Sequence, residues 1–360
     1  VKHWAIPPGG FTRKYTPKKS SCTWRMISFK SLNVLFTSAG RRVELLRAFK
    51  RAYADLGLSG NIIAVDIDPL APALQEAHCS YIVPRLSDPA YIPTLVEICR
   101  QEQVHLIFPL IDPDILILAS HRQELEATGA RVVVVSQEAA ITTADKWLTY
   151  QFFRQLNIPT PVSWLPEEAR NADLEYPVFI KPRFGSAGKQ TFKVHNEREL
   201  TFFLDYVPEP LVQEYLPGPE ITNDIICDFE GNILAVVSRQ RIEVRWGEVA
   251  KGKTIYDPEI IQHCVTIARE LKSIGPITVQ CMLRDGKPYF TEINARFGGG
   301  VPLGIDAGVR SPHWFLALAA GLPVEIPPLG SYKVGLYLTR FDDSFFLTEE
   351  DYARIASCHL

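Results

Sequence analysis

The stretch Tyr289-Phe290-Thr291-Glu292-Ile293-Asn294-Ala295-Arg296-Phe297-Gly298-Gly299-Gly300 holds the residue types best suited to chemistry in this chain. Glu292 and Asn294 are two apart, so on a strand their side chains share a face. Oxygen donors placed this way suit a magnesium ion, which takes few protein ligands and bridges to phosphate oxygens. Arg296 continues that face, where it can meet charge on a transferring phosphoryl group. A solvated strand edge fits the apolar neighbours and the glycine run less well. Gln280 lies across an expected hairpin at Asp285-Gly286. A two-residue turn there pairs Gln280 with Thr291 and points it away from Glu292. Gln280 joins the metal set only if the loop is longer or the strand bulges.

Two other segments can serve a phosphorylated ligand. In Val178-Phe179-Ile180-Lys181-Pro182-Arg183-Phe184-Gly185-Ser186-Ala187-Gly188-Lys189 a strand ends in a lysine and a small-residue loop follows. Such a loop can cradle phosphate with backbone N–H groups, although its spacing is not that of a P-loop. In Leu211-Val212-Gln213-Glu214-Tyr215-Leu216-Pro217-Gly218-Pro219-Glu220 an apolar strand meets a Pro/Gly bend with two acids. It reads either as a hinge that holds a nucleobase, with Glu220 on the ribose hydroxyls, or as an interdomain linker.

Arg239, Arg241 and Arg245 alternate along one strand and are expected on one of its faces. There they can bind an acidic substrate group through two-pronged hydrogen bonds, or else form a solvated surface. Lys251-Gly252-Lys253 is a candidate closing loop, and His313 is either catalytic or a helix-terminus residue.

The elements that must hold these residues follow two styles. Residues 33–37, 61–65, 105–108 and 131–136 are continuous apolar runs separated by helical stretches at 41–56 and beyond Asp112. That pattern predicts a parallel, doubly covered sheet, an α/β Rossmann-like domain over residues 32–140. Asp66 stands where a ribose-binding acid would, but the first turn has one glycine, Gly40, where a dinucleotide fingerprint needs three. Gly40-Arg41-Arg42 is either an anion site at a helix start or a pair of exposed arginines. After a helix near 145–156, short strands and glycine turns predict an α+β region.

A net charge of −3 gives no basic field for nucleic acid, and no apolar run is long enough to span a membrane. Seven scattered cysteines without CxxC pairing read as reduced thiols of a cytoplasmic protein. Residues 1–31 carry seven Lys or Arg and no acid; they are expected to be a disordered or over-extended leader, with an organelle-targeting peptide as the alternative.

In this order, the three motifs resemble the ATP-grasp superfamily, and the chain looks most like a single synthetase unit of the carbamoyl-phosphate synthase large subunit and related carboxylate-amine ligases. The resemblance implies a pre-ATP-grasp domain at 32–140, an ATP-grasp domain at 141–325 with lobes 141–210 and 211–325, and a C-terminal segment at 326–360. It implies ATP with Mg²⁺ or Mn²⁺ as cofactors. Lys146 and Lys181 would contact the phosphates under a lid of Gly185, Ser186, Ala187 and Gly188. Glu214, Tyr215 and Leu216 would hold adenine and Glu220 the ribose. Gln280, Glu292 and Asn294 would hold the metal, with Arg296 at the reacting phosphoryl group. The expected partners are a small carboxylate and an amine, leaving a homodimer open. An acyl-phosphate producer and a regulatory nucleotide-binding subunit are the alternative roles.

Overall fold

The computed structural model describes residues 13–15, 31–185 and 188–358. The first domain is a five-stranded parallel sheet in the order Cys79–Ile82, Ile62–Asp66, Asn33–Thr37, Val104–Pro109, Arg131–Val132. Its three central strands, Ile62–Asp66, Asn33–Thr37 and Val104–Pro109, are buried on both faces, which is why they read as unbroken apolar runs. The strand order reverses between Asn33–Thr37 and Val104–Pro109, so a crevice opens at their carboxyl ends.

Two expectations change here. Cys79–Ile82 adds an edge strand that the sequence reading lacked. The valine run expected as a strand over 131–136 is a strand only at Arg131–Val132. Val133, Val134 and Val135 are buried all the same, but Arg122 donates to the carbonyls of Val132, Val134 and Val135 at 2.7, 2.6 and 3.0 Å. A guanidinium takes the place of the next strand.

The rest is antiparallel. A four-stranded sheet runs Ser163–Trp164, Pro210–Glu214, Val178–Pro182, Phe192–Val194. A six-stranded sheet runs Lys287–Asn294, Pro276–Arg284, Glu220–Cys227, Ile233–Arg245, Glu248–Ile255, Tyr337–Thr339. The C-terminal segment therefore does not stand apart: Tyr337–Thr339 extends this sheet, and Glu349–Ala356 packs on Cys79–Ile82. Near the other end of the chain, Arg13–Tyr15 pairs with Val324–Ile326, and the Tyr15 hydroxyl donates to Asp228 at 2.5 Å. That part of the basic leader is ordered strand; the remainder of residues 1–30 lies outside the described residues. Among the described residues no helix is long and apolar enough to cross a membrane.

One core joins the domains. Phe36, Phe49 and Phe108 of the parallel domain meet Phe297 and Phe315 of the second half, and Phe108 lies 5.5 Å from Phe297 and 5.2 Å from Phe315, centroid to centroid. Each is buried. Phe108→Ala is expected to cost about 3–5 kcal/mol, mostly through the cavity it leaves. Chemical denaturation should show one transition moved to lower denaturant. A parallel domain that melts separately while the remainder stays folded would mean that the cluster does not couple the two.

Candidate active site

The strands Pro276–Arg284 and Lys287–Asn294 meet at the turn Asp285-Gly286, with φ of +53° and +77° as a two-residue hairpin requires. Pairing runs from Arg284↔Lys287 to Cys281↔Phe290 and then jumps to Gln280↔Glu292. Thr291 is the extra residue of a bulge. The two-residue turn and the facing of Gln280 toward Glu292 therefore coexist, because the bulge re-aims one strand. Asn294 follows two residues on, opposite Thr278.

The side chains of Gln280, Glu292 and Asn294 carry no hydrogen bond among the described residues, which leaves their oxygens free. One carboxylate and two amide oxygens on one face fit a magnesium ion that draws its remaining ligands from phosphate and water. Among the described residues there is no cluster of three His, Cys, Asp or Glu for a fully protein-held ion. Burial raises the Glu292 carboxyl, while Lys146 and Lys181 pull it back down.

Lys181 ends the strand Val178–Pro182 and is buried, with its ammonium donating to Gln213 Oε1 at 3.0 Å. Gln213 in turn donates to Ser163 Oγ at 2.9 Å. Burial, with Lys146 nearby, lowers Lys181 to about 8, and Glu292 opposes the shift. Asp145 caps the helix Lys146–Gln155 and binds Arg183 at 2.7 and 2.5 Å, while Lys146 reaches Gly185 O at 2.6 Å. The lysines thus converge on the loop after the strand. Gly185 and Gly188 have φ of +105° and +64°, conformations that favour glycine. Ser186 and Ala187 lie outside the described residues.

In the Pro/Gly bend after the strand Pro210–Glu214, Glu214 is held by Arg284, and Lys193 sits 4.1 Å over the Tyr215 ring. Leu216 is buried. Glu220 accepts from Arg241 at 2.5 Å, so one candidate ribose ligand is tied to a candidate substrate residue.

Gln280 and Asn294 also line a cavity, together with Arg296, with Arg239 and Arg241, and with Arg42 from the parallel domain. Its glycines explain its shape. A Cβ at Gly299 would sit 2.4 Å from Arg42 Nη1, and one at Gly300 would sit 2.1 Å from Arg239 Nη1. Gly299 and Gly300 are glycine because guanidinium groups lie against their backbone, and Gly298 because the Thr278 hydroxyl and the Asp224 carboxylate do, not because their φ angles demand it. Arg239 is 2% exposed and grips Asp224 through Nε and Nη2 at 2.6 and 2.8 Å.

The expectation that Arg239, Arg241 and Arg245 share a face needs correction. Register shifts after Arg241 and after Glu243 break the alternation, so Arg245 is 56% exposed, paired with Glu243, and outside the cavity. Lys251-Gly252-Lys253 is not a loop but the middle of the strand Glu248–Ile255. His313 sits in the helix Ser311–Ala319 and does not line the cavity.

Sequence reasoning missed the acids behind the arginines. Arg296 donates to Asp112 at 2.7 Å, at the carboxyl end of Val104–Pro109 where the strand order reverses. That position is where an open parallel sheet binds its ligands, so the signal was available. It also missed Asp224, as well as Arg340, which donates to Gly299 O and Glu44 at 2.6 Å and to Glu248 at 3.2 Å. Arg42 pairs with Glu248 at 2.9 Å, whereas Arg41 stacks 5.3 Å over Trp246. Asp66 accepts the Gly40 N–H at 2.8 Å and so braces the first turn.

Two family models match the chain: the PylC-like N-terminal domain over residues 34–133 and the ATP-grasp domain over residues 143–300. Among solved structures, the biotin carboxylase domain dimer of Hydrogenobacter thermophilus 2-oxoglutarate carboxylase, with MgADP, ADP and bicarbonate, is similar at TM-score 0.68 and 19% identity. That match covers 84% of this chain and 73% of that one. The Staphylococcus aureus N5-carboxyaminoimidazole synthetase complexed with ADP gives TM-score 0.65 at 15% identity, covering 85% and 81%. The Bacillus licheniformis L-amino acid ligase gives 0.62 at 19%, covering 82% and 75%. At these identities the likeness is one of fold.

Asp224→Ala would strand the Arg239 guanidinium in the interior. We expect a loss of about 3–5 kcal/mol in denaturant unfolding, with Asp224→Leu/Arg239→Leu much closer to wild type. A single mutant as stable as the native chain would show that Arg239 does not depend on this partner.

Proposed function

Since the chain belongs to the ATP-grasp family, we propose that it is an ATP- and Mg²⁺-dependent ligase that activates a substrate carboxylate as an acyl phosphate for attack by an amine. The observation that carries the reading is the bulge at Thr291. It sets Gln280, Glu292 and Asn294 on one face, between the Lys146–Lys181 pair and the arginine cavity.

Lys146 and Lys181 would hold the nucleotide phosphates, and the loop from Gly185 to Gly188 would close over them with backbone donors. The bend Glu214-Tyr215-Leu216 would receive adenine, with Glu220 on the ribose. Gln280, Glu292 and Asn294 would hold Mg²⁺, which when bound neutralises and aligns phosphate oxygens. Arg296, fixed by Asp112, would hold the carboxylate in line with the γ-phosphorus and offset charge as the phosphoryl group moves to it and ADP leaves. The amine would then add to the activated carbonyl carbon and expel phosphate, giving its proton to solvent. No covalent enzyme intermediate is required.

Mg²⁺-dependent ADP release, screened over pooled carboxylic acids with and without pooled amino acids, tests this. Release should need both pools and should fall at least about a hundredfold in Glu292→Ala, by analogy with the loss of a catalytic charge stabiliser. Release with acid alone would favour an acyl phosphate as the end product. Binding of ATP without stimulated release from any pool would count for the regulatory role.

The lysine makes a second test. In the free protein the Lys181 ammonium is lost as pH rises through about 8, because burial lowers it. Nucleotide binding restores the charge and so takes up a proton. MgADP affinity should be flat below that pH and fall up to about tenfold per unit above it. Lys181→Met should flatten the profile; an unchanged slope in that variant would remove Lys181 from the phosphate site.

A further inference from the structure

Most of the arginines around the cavity have their donors engaged. Arg239 directs Nε and Nη2 to Asp224, Arg241 directs Nη1 and Nη2 to Glu220 and Gly247 O, and Arg296 directs Nη1 and Nη2 to Phe297 O and Asp112. Arg42 differs. Its buried Nη1 lies 2.9 Å from Glu248 Oε1, an ion pair outside hydrogen-bond geometry, and no other group among the described residues completes it; Arg296 Nε is likewise buried without a partner. Glu248 is the one acid lining the cavity, and it is shared with Arg340 at 3.2 Å.

Glu248 thus answers two guanidiniums, although Arg340 also pairs with Glu44 at 2.6 Å and the nearby Arg296 pairs with Asp112 at 2.7 Å. Burial, with Arg296 and Arg340 nearby, lowers Arg42 to about 10 against the pull of Glu248 and Asp112, which still leaves it charged at neutral pH. A buried guanidinium whose donor is left outside hydrogen-bond geometry is stabilised by an anion that completes it. The glycines at 299 and 300 keep Arg42 Nη1 and Arg239 Nη1 against the same loop, so the two guanidiniums come together at one wall.

Arg42 is not among the residues to which the reaction proposed above is assigned. That reaction lies at the Gln280, Asn294 and Arg296 side, whereas Arg42 enters from the parallel domain beside Glu248. We propose that a second carboxylate, besides the one that is activated, binds between Arg42 and Arg239, so that the substrates together present two acidic groups. The inference rests on the proposed function. The second carboxylate belongs either to the activated acid, making it a dicarboxylic acid, or to the amine, making it an amino acid; the recognition chemistry at Arg42 is the same.

Calorimetric titration of the full chain with MgADP present separates these cases. One arm compares succinate, glutarate and adipate with butyrate, valerate and hexanoate. The other compares glycine, alanine and leucine with methylamine, ethylamine and isoamylamine. We expect at least one doubly matched compound to bind about ten- to a hundredfold tighter than its counterpart lacking the carboxylate, the value of a charged hydrogen bond. Preference in the first arm assigns the group to the acid, and preference in the second assigns it to the amine. Arg42→Gln should erase the preference while MgADP affinity stays constant, which also reports that the variant is folded; Arg42→Lys should keep part of it. MgADP binding with no preference in either arm, or a preference that survives Arg42→Gln, overturns the inference and leaves the ligase reading standing. Failure to bind MgADP at all would remove both.

Discussion

Phe297 anchors the segment that carries Arg296 and the glycine run Gly298–Gly300. Its ring is buried 5.5 Å from Phe108, 5.9 Å from Phe315 and 6.1 Å from Phe49, so one side chain of the second half sits in the core of the first. Burying a phenylalanine contributes about 2–3 kcal/mol, and a non-directional force cannot by itself orient polar groups. Here the backbone turns that force into position. With Phe297 held, Arg296 on one side must reach Asp112, and Gly298, Gly299 and Gly300 on the other must lie against Arg239 and Arg42. Arg340 then closes the loop from outside through Gly299 O.

The charges in this region contribute order more than stability. Arg239 with Asp224, Arg241 with Glu220, Arg296 with Asp112, and Arg42 with Glu248 are each at least partly buried, and desolvation offsets most of the attraction in such pairs. What they supply is a set of guanidinium planes fixed before any ligand arrives. That is the arrangement in which charge stabilisation needs no reorganisation during a reaction. Lys181 and Glu292 show the same economy in opposite signs. Burial weakens both charges, and the field of each helps restore the other.

Much of this was legible in the sequence, and the gaps have physical causes. Unbroken apolar runs identified the parallel sheet, because strands covered on both faces have no polar side to show. Asp285-Gly286 identified the hairpin, since few other pairs accept two positive φ values. The bulge at Thr291 left no such mark: threonine is an ordinary strand residue, and the extra residue is fixed by pairing with Gln280. The end of the valine strand was hidden for a similar reason, since Arg122, which takes its carbonyls, lies on a separate helix. Period-two reasoning placed Arg239 on a substrate face without its partner, because Asp224 is on the neighbouring strand and only register brings them together. Arg245 was misplaced because two irregularities intervene. Local pattern carries element type; it does not carry register or the cross-strand pairs that register creates.

The parallel domain resolves an apparent contradiction in its own sequence. It has the strand order and the crevice of a nucleotide-binding sheet but not the glycines, and Asp66, the residue placed for a ribose, is occupied with the Gly40 N–H. The crevice rule nevertheless holds, because strand carboxyl ends at a reversal of order leave a gap whatever the ligand. In this chain Arg42 and Asp112 at that gap turn toward the six-stranded sheet, one facing Glu248 and the other Arg296. A wall of the cavity is therefore built by a domain that supplies none of the candidate nucleotide or metal residues.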